Sequence, residues 1–142
     1  MTKLNYIEIH SVDHCTLSCN NCSHDAENAN AKFYSGEDYD RWFDKMSQAG
    51  ISFHNISIAG GEPLINKNMP DIISMSRRHA VGRVSTMTNG WWLSSEKMVE
   101  RQVNKIYGVD DLCVTIYRPY VEKFGGLSAV EDRLSYLQEL LP

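Results

Sequence analysis

Four times along this chain a short strand-like run gives way to a loop and then to an amphipathic stretch of helical period, and that alternation restricts the fold more than any other feature. Tyr6-Ile7-Glu8-Ile9-His10 alternates apolar and polar residues as a first strand does. Asn55–Ala59, Arg83–Thr88 and Leu112–Ile116 read as strands two to four and begin about 28 residues apart. Ser35, with Asp38 three residues on, offers a cap to a helix carrying Tyr39, Trp42, Phe43 and Met46, and Gly50 closes it. Asn68 and Pro70 open a second helix that buries Ile72, Ile73 and Met75 and ends on Arg77, Arg78 and His79, favourably for its dipole. Ser94 or Ser95 starts a third with Met98, Val99, Val103 and Ile106 on one face, ending at Gly108. Ser128 and Glu131 form a capping box for a last helix bearing Val130, Leu134, Leu137 and Leu141. Strand-then-helix repetition predicts an α/β fold with a parallel sheet and right-handed crossovers.

At 142 residues the chain fits one domain, residues 1–142, and its 42% apolar and 23% charged residues allow a packed core. A net charge of -4 gives no global pull toward nucleic acid or an anionic membrane. No apolar run approaches the roughly 20 residues that cross a bilayer, and the first residues lack a signal peptide's apolar segment, so a cytoplasmic location is expected. Three of the four cysteines fall within eight residues, a spacing that points to metal binding by reduced thiols rather than to disulfides. Cys113, alone in an apolar run, reads as a small buried core residue.

In parallel α/β folds, ligands gather where strands end, because loops there are free of the core. Each strand of this chain is followed by an unusual segment: Cys15-Thr16-Leu17-Ser18-Cys19-Asn20-Asn21-Cys22, Gly60-Gly61-Glu62-Pro63, Thr88-Asn89-Gly90 and Tyr117-Arg118-Pro119-Tyr120. Steps of four and three residues let a turning backbone aim three thiolates at one cubane iron-sulfur cluster, leaving one iron open to a small molecule. A zinc site completed by His14, His24 or Cys113 has the same spacing available to it. A ferredoxin-like electron carrier would want a fourth cysteine close in sequence, and there is none. The paired glycines admit close approach of a ligand to backbone, and Glu62 and Pro63 fix the loop's exit.

Cys15-x3-Cys19-x2-Cys22 followed by Gly60-Gly61-Glu62-Pro63 resembles the radical S-adenosylmethionine (SAM) superfamily, and Cys22-Ser23-His24 with Thr88-Asn89-Gly90 resembles its CSH-type members. The resemblance implies a partial (βα) barrel of about four parallel strand-helix units, shortened from the usual six. It implies a 4Fe-4S cluster on Cys15, Cys19 and Cys22 and SAM chelated at the fourth iron. In the cofactor-binding loop Gly60-Gly61-Glu62-Pro63, backbone at Gly60, Gly61 and Glu62 would receive the methionine amino group, while Thr88, Asn89, Thr115 and Tyr117 would contact SAM or substrate. Reductive cleavage would give methionine and a 5'-deoxyadenosyl radical that takes hydrogen from an unidentified substrate; no catalytic side chain is assigned. An electron donor such as a flavodoxin or ferredoxin is implied. A glycyl-radical activase and a non-catalytic iron-sulfur or zinc module are the competing functions.

The chain departs from the family at Asn21 and at the missing fifth strand. Asn21 stands where many members place an aromatic residue against adenine, which leaves Tyr34 or Trp91 to stack. Trp91 and Trp92 are otherwise read as packing residues, and His14 and His24 flank the cysteines near enough to donate hydrogen bonds to sulfur. The glycine-rich fifth strand has no counterpart, so strand four is expected to be an apolar edge covered by a second copy or a partner.

Overall fold

The computed structural model of the chain describes residues 1–26 and 29–142. Strands β1 (Thr2–Val12), β2 (Ile51–Gly60), β3 (Val84–Thr88) and β4 (Asp111–Val114) form one sheet in chain order, every neighbouring pair parallel. Helices α1 (Gly36–Gln48), α2 (Met69–His79), α3 (Glu96–Ile106), α4 (Arg118–Lys123) and α5 (Leu127–Leu140) separate or follow them. The architecture is α/β, a partial barrel of four strand-helix units as expected. Among the described residues no helix is long and apolar enough to cross a membrane.

Register explains which face became the core. Ile9, Ile58, Thr86 and Leu112 align across the sheet, as do Ile7, Ile56 and Val84. These rows pack under the helices with Phe43, Ile72, Ile73, Val99 and Ile106. Each fully buried side chain of this size contributes about 1.5–3 kcal/mol of hydrophobic free energy. Period-2 alternation sends the intervening row, Glu8, Ser57, Ser85 and Asp111, to the opposite face. Met87 and Cys113 share that face and are exposed. Cys113 is therefore not the core residue its apolar neighbours imply, because it falls on the other parity from Leu112 and Val114.

The strands differ from the sequence pattern mainly at their ends. β1 begins at Thr2, since Thr2 to Leu4 pair with Ile51 to Phe53 although that stretch is exposed on both faces and shows no alternation of burial. β4 stops at Val114, and Thr115 continues only through its N–H bond to the Thr88 carbonyl, 2.8 Å. α4 has no apolar period to announce it; Pro119 in its first turn and the Arg118–Glu122 pair at 2.8 Å form it locally. α5 starts at Leu127 with Gly126 as N-cap at φ 98°, which puts Ser128 inside the first turn, so its capping box does not form. Asn68 likewise makes no side-chain cap and reaches the Tyr34 carbonyl instead, 3.3 Å.

The cap on α1 does form. Ser35 Oγ accepts from the Asp38 N–H at 3.3 Å and the Asp38 carboxylate accepts from the Ser35 N–H at 2.9 Å. Ser35→Ala is expected to lower the urea-unfolding free energy by about 1 kcal/mol. No change in midpoint would mean the cap is idle.

Candidate functional site

The loops after all four strands meet at the carboxyl edge of the sheet around a cavity of about 400 Å³. Cys15, Cys19 and Cys22 line it from the β1 loop, Gly60 and Gly61 from the β2 loop, Thr88 and Asn89 from the β3 end, and Thr115 and Tyr117 from beyond β4. Glu62 and Pro63 stand behind it, buried.

The β1 and β2 loops are locked together by backbone. The Gly61 N–H donates to the Val12 carbonyl and the Glu62 N–H to the His14 carbonyl, both at 2.9 Å. A β-carbon on Gly60, which has φ 125°, would run into the Val12 carbonyl, and one on Gly61 into the His14 carbonyl. The glycines are thus required by the cysteine loop's approach, and the two amides are turned to it rather than to the cavity.

Glu62 carries the next link. Its Oε1 accepts from the Leu64 N–H at 3.1 Å and from the Thr88 hydroxyl at 2.7 Å, and its Oε2 from the Asn89 N–H at 2.8 Å. Burial pushes its carboxyl above the ordinary range, opposed by these three donors and by Lys105. Lys105, pulled down by its own burial, ties the same corner by donating to the Leu64 carbonyl at 2.5 Å. Thr88 Oγ1 also accepts from the indole N–H of fully buried Trp92 at 3.0 Å. Asn89 then reaches the cysteines: Nδ2 donates to Thr16 Oγ1 at 2.9 Å and lies 3.6 Å from Cys15 Sγ.

Burial pushes the Cys15 thiol up, whereas backbone N–H groups at Ala26 and His24 hold Cys22 below the ordinary thiol range. The Tyr117 hydroxyl is pushed up by burial first and then by Cys19, with which it hydrogen bonds, and by Cys15 and Cys22. Tyr117 thus shares the cavity with all three sulfurs and bonds one of them. Asn21 and Asp25 give the loop its turns at φ 62° and 45°, a conformation that Asn and Asp tolerate better than aromatic residues do.

Sulfurs around one tetrahedral zinc stand about 3.8 Å apart, given bonds of about 2.3 Å. Among the described residues, the ligand sets that converge within 4.8 Å are Glu8, His10 and His24, and Asp40, Asp44 and His79; the three cysteines are spread more widely. That spread fits separate irons of a cluster better than a single ion. Cys113, absent from the lining, leaves three thiols for the site.

Leu17, Asn20, His24 and Met87 also line the cavity. Of these, His24 was named from the sequence as flanking the cysteines and Met87 was not, and the side-chain bridges from Glu62 and Asn89 leave no trace in local pattern. Tyr34 and Trp91 do not line the cavity. Asn89→Ala removes a donor beside Cys15, and loss of such outer partners costs about 10–100-fold in metal affinity. Iron in the reconstituted variant is expected to leave to a chelator about tenfold faster; wild-type retention would show the contact to be incidental.

Comparison with known proteins places the geometry in context. The family model described as the Radical SAM superfamily matches residues 9–115. A GTP 3',8-cyclase of Syntrophomonas wolfei is 28% identical over 144 aligned residues, covering 96% of this chain and 43% of the relative. One from Desulforamulus reducens is 33% identical over 91 residues, 61% of this chain and 27% of the relative. A probable GTP 3',8-cyclase of Methanocaldococcus jannaschii is 26% identical over 128 residues, 87% of this chain and 42% of the relative. The chain spans less than half the length of these relatives.

Proposed function

Because the chain belongs to the radical SAM superfamily of enzymes, we propose that Cys15, Cys19 and Cys22 hold a 4Fe-4S cluster and that the adjoining cavity holds SAM. When bound, that pair supplies one-electron cleavage of the sulfonium, giving methionine and a 5'-deoxyadenosyl radical for hydrogen abstraction. The observation that carries the reading is the meeting of the cysteine, Gly60-Gly61, Thr88-Asn89 and Thr115-Tyr117 segments on one cavity.

The chain's own residues have separable tasks in this reading. The methionine ammonium is a donor and needs acceptors, so the carbonyl groups of the Gly60-Gly61 loop receive it while the Gly61 and Glu62 amides hold the β1 loop. Glu62 and Thr88 face one another rather than a ligand, and their work is to fix Asn89 beside Cys15. Thr115 uses its N–H on the Thr88 carbonyl and presents its hydroxyl to the SAM carboxylate or ribose. Tyr117, which lines the same cavity and hydrogen bonds Cys19, restricts water's access to the sulfurs in this reading.

The cyclase relatives are named for GTP. Among the described residues the cavity lining includes no lysine or arginine, the groups that grip a triphosphate, and no substrate is assigned. A flavodoxin or ferredoxin is the proposed electron donor, and a second copy or a partner is proposed to cover the β4 edge, whose helix-free face exposes Cys113. The experiment is anaerobic reconstitution with iron and sulfide, then dithionite and SAM. Methionine and 5'-deoxyadenosine in the products support the reading, and a colourless zinc protein overturns it.

A further inference from the structure

On the sheet face opposite the helix-packed core, beside the cluster cavity, two imidazoles and a carboxylate converge. Glu8 and His10 project from β1 with the same parity, and His24 reaches them from the cysteine loop. Glu8 Oε1 lies 3.7 Å from His10 Nε2 and 3.4 Å from His24 Nε2, and one ligand atom from each residue lies within 4.8 Å of the others. Both separations exceed the roughly 2.7 to 3.2 Å of good N–H···O hydrogen bonds. Three groups that converge without bonding one another have the spacing of a ligand set: nitrogen and oxygen ligands of a tetrahedral ion stand about 3.3 Å apart when bonds are about 2.0 Å.

The far atoms of two of the three have polar neighbours, as those of metal ligands usually do. The Tyr6 hydroxyl donates to Glu8 Oε2 at 3.2 Å, leaving Oε1 to the histidines. His10 Nδ1 lies 3.7 Å from Asp13 Oδ1, and the other oxygen of Asp13 accepts from the Tyr34 hydroxyl at 3.1 Å. A carboxylate behind an imidazole favours the tautomer with its proton on the near nitrogen, and Asp13 stands close enough to close that bond on a small ring movement. The His10 and His24 rings meet edge to face with centroids 4.5 Å apart, which keeps both Nε2 atoms near the same carboxylate oxygen. All three side chains are near one-third exposed, open enough for an ion to enter.

We propose that Glu8, His10 and His24 form a second metal site, distinct from the cysteines, for a first-row divalent ion. Two imidazoles and one carboxylate suit zinc and its neighbours, and they leave coordination positions open. His24 also lines the cluster cavity, so an oxygen ligand of a molecule bound there, a carboxylate or phosphate, is within the site's province.

The test uses the cluster-loaded full chain, titrated anaerobically with zinc chloride alone, with zinc and iron counted by elemental analysis and the zinc ligands read by X-ray absorption. One zinc per chain beyond the cluster, with only nitrogen and oxygen ligands, is expected. His10→Ala, which lies outside the cavity lining, should weaken zinc binding at least about tenfold while iron content is unchanged. Glu8→Gln keeps the side chain's size and should act in the same direction if His10→Ala fails to fold. Absence of bound zinc, sulfur among its ligands, or zinc that disappears with Cys19→Ala overturns the site. Iron content reports the cluster separately, so failure of one centre is not mistaken for failure of the other.

Discussion

Cys19→Ala is expected to strip the reconstituted protein of its brown chromophore and to bring 5'-deoxyadenosine formation below about one hundredth of the wild-type rate, since even outer partners of a metal cost 10–100-fold. Cys19 is the thiol that Tyr117 hydrogen bonds, and its loss also leaves that half-exposed hydroxyl without its sulfur partner. The fold should survive, because the loop is held by backbone: the Cys22 N–H to the Cys19 carbonyl at 3.2 Å, and the β2 amides to Val12 and His14, none of which needs the sulfur. Unchanged far-UV circular dichroism with lost absorbance and lost iron is the anticipated signature. A variant that keeps a full cluster would show that another side chain is the ligand.

Glu62→Gln should be felt as instability first and as lost cluster second. The amide nitrogen must replace one of two acceptor oxygens, so it meets either the Asn89 N–H or the Leu64 N–H and Thr88 hydroxyl. An orphaned buried donor costs about 1–3 kcal/mol, and two opposed donors bring the expected destabilisation to about 3 kcal/mol in urea unfolding. pH modulates the gap. Burial raises the Glu62 carboxyl in the folded chain, so its proton contributes stability in full below the ordinary value of 4.5, and that contribution is lost as pH rises through the folded value. The difference between wild type and Glu62→Gln should therefore narrow as pH increases from 4.5. A gap that widens over that interval would mean the hydrogen-bond donors outweigh burial and the carboxylate is the favoured form.

Much of the fold was legible because strands two to four repeat at an even interval and each helix shows one apolar stripe. Ile56, Ile58 and Val84 announced the buried row, and Ser35 and Ser95 announced their helices. Elements without a periodic signature were missed: the exposed first residues of β1, held by pairing alone, and α4, six residues long with no buried residue. Ser128 shows a capping motif overridden by a glycine two residues earlier. Cys113 shows that an apolar run does not reveal which parity faces the core when the strand is an edge.

For the site, the cysteine and glycine segments were visible as motifs because covalent spacing alone makes them unusual. What sequence could not carry is how they are joined. Glu62 was readable as a loop residue, but its bonds to Thr88 and Asn89 span 26 and 27 positions and exist only after β2 and β3 pair. The cluster of Glu8, His10 and His24 escaped for the same reason, since parity on β1 brings two of its members together and a distant loop brings the third.

The bridge from Glu62 through Asn89 to Cys15 has a genetic consequence. Positions that share one hydrogen-bonded chain do not tolerate change independently: once Glu62 is altered, a second alteration at Thr88 removes a hydroxyl whose bond is already broken, and one at Asn89 removes a side chain whose backbone is no longer anchored, so each should cost less than it does alone. Pairwise libraries across these positions should show positive epistasis, with double variants surviving more often than the product of the singles. Directed evolution of this pocket will therefore progress by joint replacement of the β2 and β3 corners rather than by single steps.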